Sequence, residues 1–180
     1  EGTIRKMFIK QNIAGNGKDF GDSIEIVISD IVDTFQLSLK EDSRYGQDFL
    51  KKLPNIDLKE PVKISPYDFE DKQSDKRHVG ISILQNEKKI QSAYEIKTDK
   101  GWELLNNFPD PKGVNFKDKD ELKIYFIQVK KFLHSEFVNN FADYGKDALP
   151  EPEKADVWQQ GNTIVEEKPE FDESPFPEEE

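Results

Sequence analysis

Ile24, Ile26 and Ile28 alternate with Ser23, Glu25 and Val27, and soon afterwards Phe35, Leu37 and Leu39 repeat the pattern. A period of two places each apolar set on one face of a strand, and β-branched residues suit that pleated surface. The interval between the two runs allows only a tight connection, so they belong to a meander. Ahead of them Thr3–Gln11 alternates in part and gives way to Ala14-Gly15-Asn16-Gly17, a strand followed by a loop. Phe8 and Phe35 are expected in the core.

The period then changes. Within Ser43–Leu53, Tyr45, Phe49, Leu50 and Leu53 recur at helical spacing, with Ser43 as N-cap and Pro54 as the stop. Gly46 costs such a helix about 1 kcal/mol of propensity. After Pro61 the run Val-Lys-Ile-Ser-Pro-Tyr67 reads as a strand, with Pro66 marking an edge or a bulge. Asp71–Arg77 reads as a polar loop. His78–Gln85 and Lys88–Ile96 read as two strands of a hairpin turning at Asn86-Glu87. Trp102–Gly113, with Pro109 and Pro111, reads as loop. In Asp118–Phe141, Leu122, Phe126, Val129, Phe132, Leu133, Phe137 and Phe141 return every three or four residues. That is an amphipathic helix ending near Gly145, and its apolar stripe requires packing on the body or on a second copy. A homo-oligomer is therefore one expected outcome.

Three strands, a helix and a closing pair of strands follow the order of the OB-fold, a five-stranded Greek-key barrel. The expected class is mainly β (α+β): an OB-fold-like barrel with Pro61–Tyr67 as an added strand or hairpin, a helix after the third strand and a long C-terminal helix. Other α+β layouts share this order.

Charge divides the chain. Residues 146–180 hold 12 acidic and 3 basic residues with Pro150, Pro152, Pro169, Pro175 and Pro177, and they show no sustained period. That composition predicts a disordered acidic tail of net −9. Residues 1–145 keep 25 acidic and 23 basic residues, so the pI near 4.8 reflects the tail and leaves room for a basic stripe on the body. Three regions are expected: an OB-like nucleic-acid-binding body over 1–117, the helix over 118–145 and the tail over 146–180.

Several function classes drop out. With no Cys, the chain has neither disulfides nor thiolate metal sites. His78 and His134, the only two histidines, leave little for a His-based metal centre or a His-dependent triad. The GxxxxGK[ST], HExxH and GxSxG motifs are absent. No apolar run approaches the roughly 18–20 residues that span a bilayer, and no charged-then-apolar leader opens the chain. The expectations are a non-enzyme with no cofactor, no metal and no membrane partner, in the cytoplasm.

The step Phe20-Gly21, the stretch Leu53-Pro-Asn-Ile56 followed by Pro61–Tyr67, and the acidic ending Phe171-Asp-Glu-Ser-Pro-Phe-Pro-Glu-Glu-Glu180 resemble the single-stranded DNA-binding proteins of bacteriophages. The resemblance implies an OB-fold body, sequence-tolerant binding of single-stranded DNA in phage replication or recombination, and the host cytoplasm as location. It also implies a partner-binding tail at Phe171, Asp172, Glu173, Pro175 and Phe176, which would recruit replication or recombination proteins. Bacterial single-strand binders end on Pro-Phe. Here four residues follow Pro175-Phe176, so docking through a carboxylate beside the Phe is not expected.

Binding a single strand needs cations along the phosphates and aromatic faces under the bases. The basic candidates are Arg5, Lys6, Lys10, Arg44, Lys51, Lys52, Lys63, Arg77, Lys88 and Lys89. The aromatic candidates are Phe20, Tyr45, Tyr67, Phe69, Tyr94 and Trp102. Two other readings stand beside this one. The tail could make the chain an acidic interaction module or DNA mimic, and Glu25, Asp30 and Asp33 could gather Mg²⁺ for a small nuclease.

Overall fold

Strands β1 (Thr3–Ile13), β2 (Asp19–Ser29) and β3 (Thr34–Lys40) form the expected antiparallel meander in the computed structural model, which describes residues 1–72, 76–99 and 101–146. The register sets Ile24 against Leu39, Ile26 against Leu37 and Ile28 against Phe35, so both alternating runs share the inner face. Two aromatic expectations fail. The register of β1 shifts between Ile4 and Lys6, and this bulge turns Ile4 and Met7 inward while Phe8 is only half-buried under the Lys6 ammonium. Phe35 has the inward phase but sits at the end of the sheet, beyond the covering layer, and is 53% exposed.

Helix α1 (Arg44–Lys52) begins as the sequence predicts: Ser43 Oγ accepts from Gly46 N at 3.0 Å. Pro54 falls in a 3-10 turn over Leu53–Asn55 that closes the helix. Gly46 is not a flaw in the helix. A Cβ there would run into the Lys40 carbonyl, so glycine lets α1 lie against the end of β3. Phe49 is wholly buried, which contributes about 2–3 kcal/mol and outweighs the glycine cost of about 1 kcal/mol.

Strands β4 (Lys63–Asp71), β5 (Lys76–Gln85) and β6 (Lys88–Lys89) form the second sheet. β4 and β5 run well into the expected polar loop at Asp71–Arg77. The hairpin at Asn86-Glu87 forms, with both residues at positive φ, but its second strand is only two residues long. Two bonds to the α1 region and a local turn end it: Ala93 N donates to the Lys51 carbonyl, Asn55 Nδ2 donates to the Gln91 carbonyl, and Ser92 Oγ accepts from Tyr94 N and Glu95 N within its own turn. The chain then forms a hairpin where loop was expected, β7 (Glu95–Thr98) with β8 (Gly101–Leu104).

Helix α2 (Lys119–Asn140) is capped by Asp118, whose side chain accepts from Asp120 N and Glu121 N. Its fully buried line is Tyr125, Val129, Leu133 and Phe137, four residues apart, while Phe126 is 48% exposed. The helix stops short of Gly145 because the chain turns back onto β1: Met7 N donates to the Tyr144 carbonyl, and Tyr144 Oη donates to the Leu58 carbonyl.

The fold is thus mainly β, with three small antiparallel sheets and two α-helices among the described residues. A bridge between Gly2 and Val62, bonded in both directions at 3.0 and 2.8 Å, links the first strand to the chain entering β4. The core joins the inner face of the meander to Phe49 and Leu53 of α1, Ile81 and Ile83 of β5 and the buried line of α2. No helix among the described residues is long and apolar enough to cross a membrane.

Candidate nucleic-acid interface

Helix α1, the β4–β5 hairpin and the β7–β8 hairpin border an open groove of about 600 Å³. Arg44, Asp48, Lys51 and Lys52 line it from α1, and Tyr67 and Val79 from β4 and β5. Lys89 and Gln91 come from the stretch after β5, and Glu95, Lys97 and Trp102 from the last hairpin. The lining thus carries five cations against two carboxylates.

Two of those cations are committed to the fold. Lys51 Nζ pairs with Glu95 at 2.7 Å and lies 4.9 Å above the Phe108 ring. Lys52, only 9% exposed at its side chain, pairs with Asp48 at 2.8 Å and donates to the Ile81 carbonyl. Asp48 also accepts from Ile81 N at 2.7 Å, so it caps the edge of β5 that faces α1. Arg44, Lys89 and Lys97 make no ion pair within 4.0 Å among the described residues. These three charges are the ones a phosphate would meet.

The aromatic rings are placed by the register. Tyr67 stands opposite Gly80, and a Cβ at Gly80 would come within 2.5 Å of Tyr67 Oη and of Asp48 Oδ2. The bare glycine lets the ring lie across β5 into the groove. Burial, and then the Asp48 carboxylate, push the Tyr67 phenol above its ordinary pKa and keep it neutral. Phe69, 55% exposed, is 5.9 Å from the Tyr67 ring and stacks at 5.2 Å and 20° on exposed His78. Trp102, 70% exposed, forms part of the opposite wall. The groove therefore combines free cations with accessible ring faces.

Of the residues expected from the sequence, the structure gathers Arg44, Tyr67, Lys89 and Trp102 in this groove, with Lys51 and Lys52 as its ion-paired floor. Phe69 adjoins it through Tyr67, and Lys88 is exposed on β6 beside Lys89. Other candidates lie elsewhere. Arg5 and Lys10 are exposed on β1, and Phe20, 52% exposed at the start of β2, sits beneath the Lys18 ammonium at 5.1 Å. Lys63 is exposed at the start of β4, and Tyr45 is half-buried against the core. Arg77 is held by two bonds to Asp68, at 2.7 and 2.6 Å, and the bonded guanidinium keeps that carboxyl below the usual range. Its charge is already matched.

Tyr94 is a correction. It is 2% exposed, packs on Phe108 and Phe132 at 5.7 and 5.2 Å, and donates to Glu136 Oε2 at 3.4 Å. Burial, and then the Glu136 charge, raise its phenol to about 12. It is a core residue closed to bases. Phe171, Asp172, Glu173, Pro175 and Phe176 lie outside the described residues. Lys97 is absent from the sequence candidates; the pairing of Thr98 with Gly101, a glycine at positive φ, folds Glu95–Thr98 back against Trp102, and that glycine is the sign of the turn in the sequence.

Two of the three carboxylates that could gather Mg²⁺, Glu25 and Asp30, have structural duties. Glu25 is buried and accepts from Gln36 Nε2 at 2.9 Å and Ser38 Oγ at 2.7 Å. Asp30 accepts from Val32 N and Asp33 N in its own turn, and these bonds lower its pKa. Among the described residues, the one group of three acidic or histidine side chains with converging ligand atoms is Asp22, Glu41 and His134. Compared with protein-family models, with curated proteins and with solved structures, the chain gives no match.

Proposed function

We propose that the chain binds single-stranded DNA with little sequence preference, in the manner of the phage single-strand binders it resembles. The observation that carries this reading is the convergence of Arg44, Lys89 and Lys97 with the accessible rings of Tyr67 and Trp102 around one groove. Each stacked base is worth about 1–3 kcal/mol, and every base has a face to stack, so the contacts tolerate any sequence. An OB-like arrangement of the body is part of the proposal. Its support is the element order, with α1 between the meander and the β4–β5 hairpin, and the Gly2–Val62 bridge that brings the first strand beside the fourth.

The net −9 of residues 146–180 favours a second role for the same chain. The acidic segment competes with DNA for the basic groove, or recruits replication or recombination partners once DNA has displaced it. A mobility shift with oligo-dT, a duplex of equal length and an RNA tests the main reading. Oligo-dT is retained at about 50 mM salt and released as salt rises. Absence of binding to any single strand at that salt rejects it, and Mg²⁺-dependent cleavage of the oligonucleotide moves the chain to the nuclease class.

A further inference from the structure

Away from the groove, Asp22 on β2, Glu41 just after β3 and His134 on α2 bring one ligand atom each within 4.8 Å of one another. Glu41 is 3% exposed. Its Oε1 shares a hydrogen bond with His134 Nδ1 at 2.6 Å, while its Oε2 accepts none from any described residue. The Lys130 ammonium stands 3.6 Å from Oε2, beyond hydrogen-bonding reach, on a side chain that is 39% exposed. A buried carboxylate oxygen without a donor gives up its hydration and recovers little of it from so distant and solvated a cation. The cluster therefore holds a buried carboxylate oxygen that no described residue supplies with a donor.

We propose that Asp22, Glu41 and His134 bind a divalent first-row metal ion, zinc by preference. Two carboxylate oxygens and one imidazole nitrogen supply three ligands of a four-coordinate site, with water as the fourth. The imidazole disfavours Mg²⁺ and Ca²⁺, which prefer oxygen alone. Zinc about 2.0–2.1 Å from each ligand holds neighbouring ligand atoms about 3.4 Å apart. Glu41 and His134 must then part by about 0.8 Å from their present 2.6 Å. The half-exposed imidazole has room for that rotation, and Lys130 swings into water. The ion replaces the proton the pair now shares at Oε1, and its double charge beside the same carboxylate compensates Oε2 better than the distant Lys130 does. It also fastens β2 and the β3–α1 corner to α2.

The 180-residue chain offers an internal control, since its only other histidine is His78, exposed on β5. Imidazole NMR signals are followed while Zn²⁺ alone is added to protein stripped with EDTA. The His134 signals shift and saturate near one equivalent while those of His78 stay in place. Asp22→Asn weakens this binding tenfold or more. Zn²⁺ also raises the unfolding temperature of the wild type and leaves that of His134→Asn unchanged. Three results overturn the proposal: His134 signals that do not move at roughly 1 mM Zn²⁺, a response of His78 equal to that of His134, or an Asp22→Asn variant that binds as tightly as the wild type.

Discussion

The groove makes a quantitative prediction about salt. Each phosphate neutralised by a protein cation on single-stranded DNA contributes about −0.7 to the slope of log K against log salt. Lys51 and Lys52 already have carboxylate partners, so they displace few counterions when DNA arrives. Arg44, Lys89 and Lys97 remain, and three such contacts give a slope of about −2. Between 50 and 200 mM salt, affinity for oligo-dT should fall roughly 20-fold. Five free cations would give a slope of about −3.5 and a loss of roughly 130-fold. Lys89→Ala should flatten the slope by about 0.7, so that its loss over the same range is only about sevenfold. Trp102→Ala should behave differently. It removes a stacking face and no charge, which weakens binding about 5- to 150-fold at every salt concentration and leaves the slope alone. Anisotropy titrations of labelled oligo-dT with variants of the 180-residue chain measure both quantities. A Lys89→Ala slope equal to that of the wild type refutes the assignment of Lys89 to phosphate. A Trp102→Ala variant that binds normally removes the ring from the path of the DNA.

Asp48→Asn should destabilise the fold by about 3 kcal/mol in urea unfolding, because the buried Lys52 ammonium keeps no counter-charge; adding Lys52→Met should recover most of that loss. Tyr94 has its phenol pKa raised to about 12, so the folded chain holds that proton more tightly than the unfolded one. Its contribution is intact below pH about 10 and is lost as pH rises toward 12, about 2–3 kcal/mol in all, so Tyr94→Phe should flatten the alkaline fall in stability measured by denaturant unfolding. Truncation after Gly145 should tighten oligo-dT binding at low salt by removing a tethered polyanion at up to mM effective concentration, and the gain should shrink as salt rises. Phe176→Ala should leave DNA affinity unchanged and weaken only the binding of a replication partner.

The parts of the fold readable from sequence are those set by a local period. The alternation of Ile24–Ile28 and of Phe35–Leu39 defines two strands, Ser43 and Pro54 bracket α1, and the stripe of α2 follows from a period near 3.6. Where distant bonds decide, the sequence misleads. The alternation from Lys88 to Ile96 resembles a strand, yet Lys51 and Asn55 capture Ala93 and Gln91 and end it at Lys89. Tyr94 lies in that stretch, and only Phe108 and Phe132, both later in the chain, decide that it is buried. Phe8 loses its core place to a single bulge, which no alternation can announce. The residue types of the groove were visible, but their meeting depends on Gly80 making room for Tyr67 and on a hairpin that returns Trp102 to face α1. Asp22, Glu41 and His134 come from three separate segments and share no motif.

The closure of the last described turn on the first strand has a consequence for synthesis. β1 pairs with β2 along one edge, but its other edge is bonded at Gly2 by Val62 and at Met7 by Tyr144. A ribosome adding about 5–20 residues per second finishes the meander roughly 5 to 20 s before it reaches Tyr144. Val62 follows the meander closely, but for the whole interval the edge at Met7 lacks its closing partner. An open edge of this kind invites pairing with a neighbouring chain, and lysine or arginine along it discourages that. Arg5, Lys6 and Lys10 are spaced along β1, with Arg5 at the bulge. Basic residues that read as DNA contacts in the sequence, and that lie away from the groove in the structure, thus stand where charge discourages such pairing until Tyr144 is made.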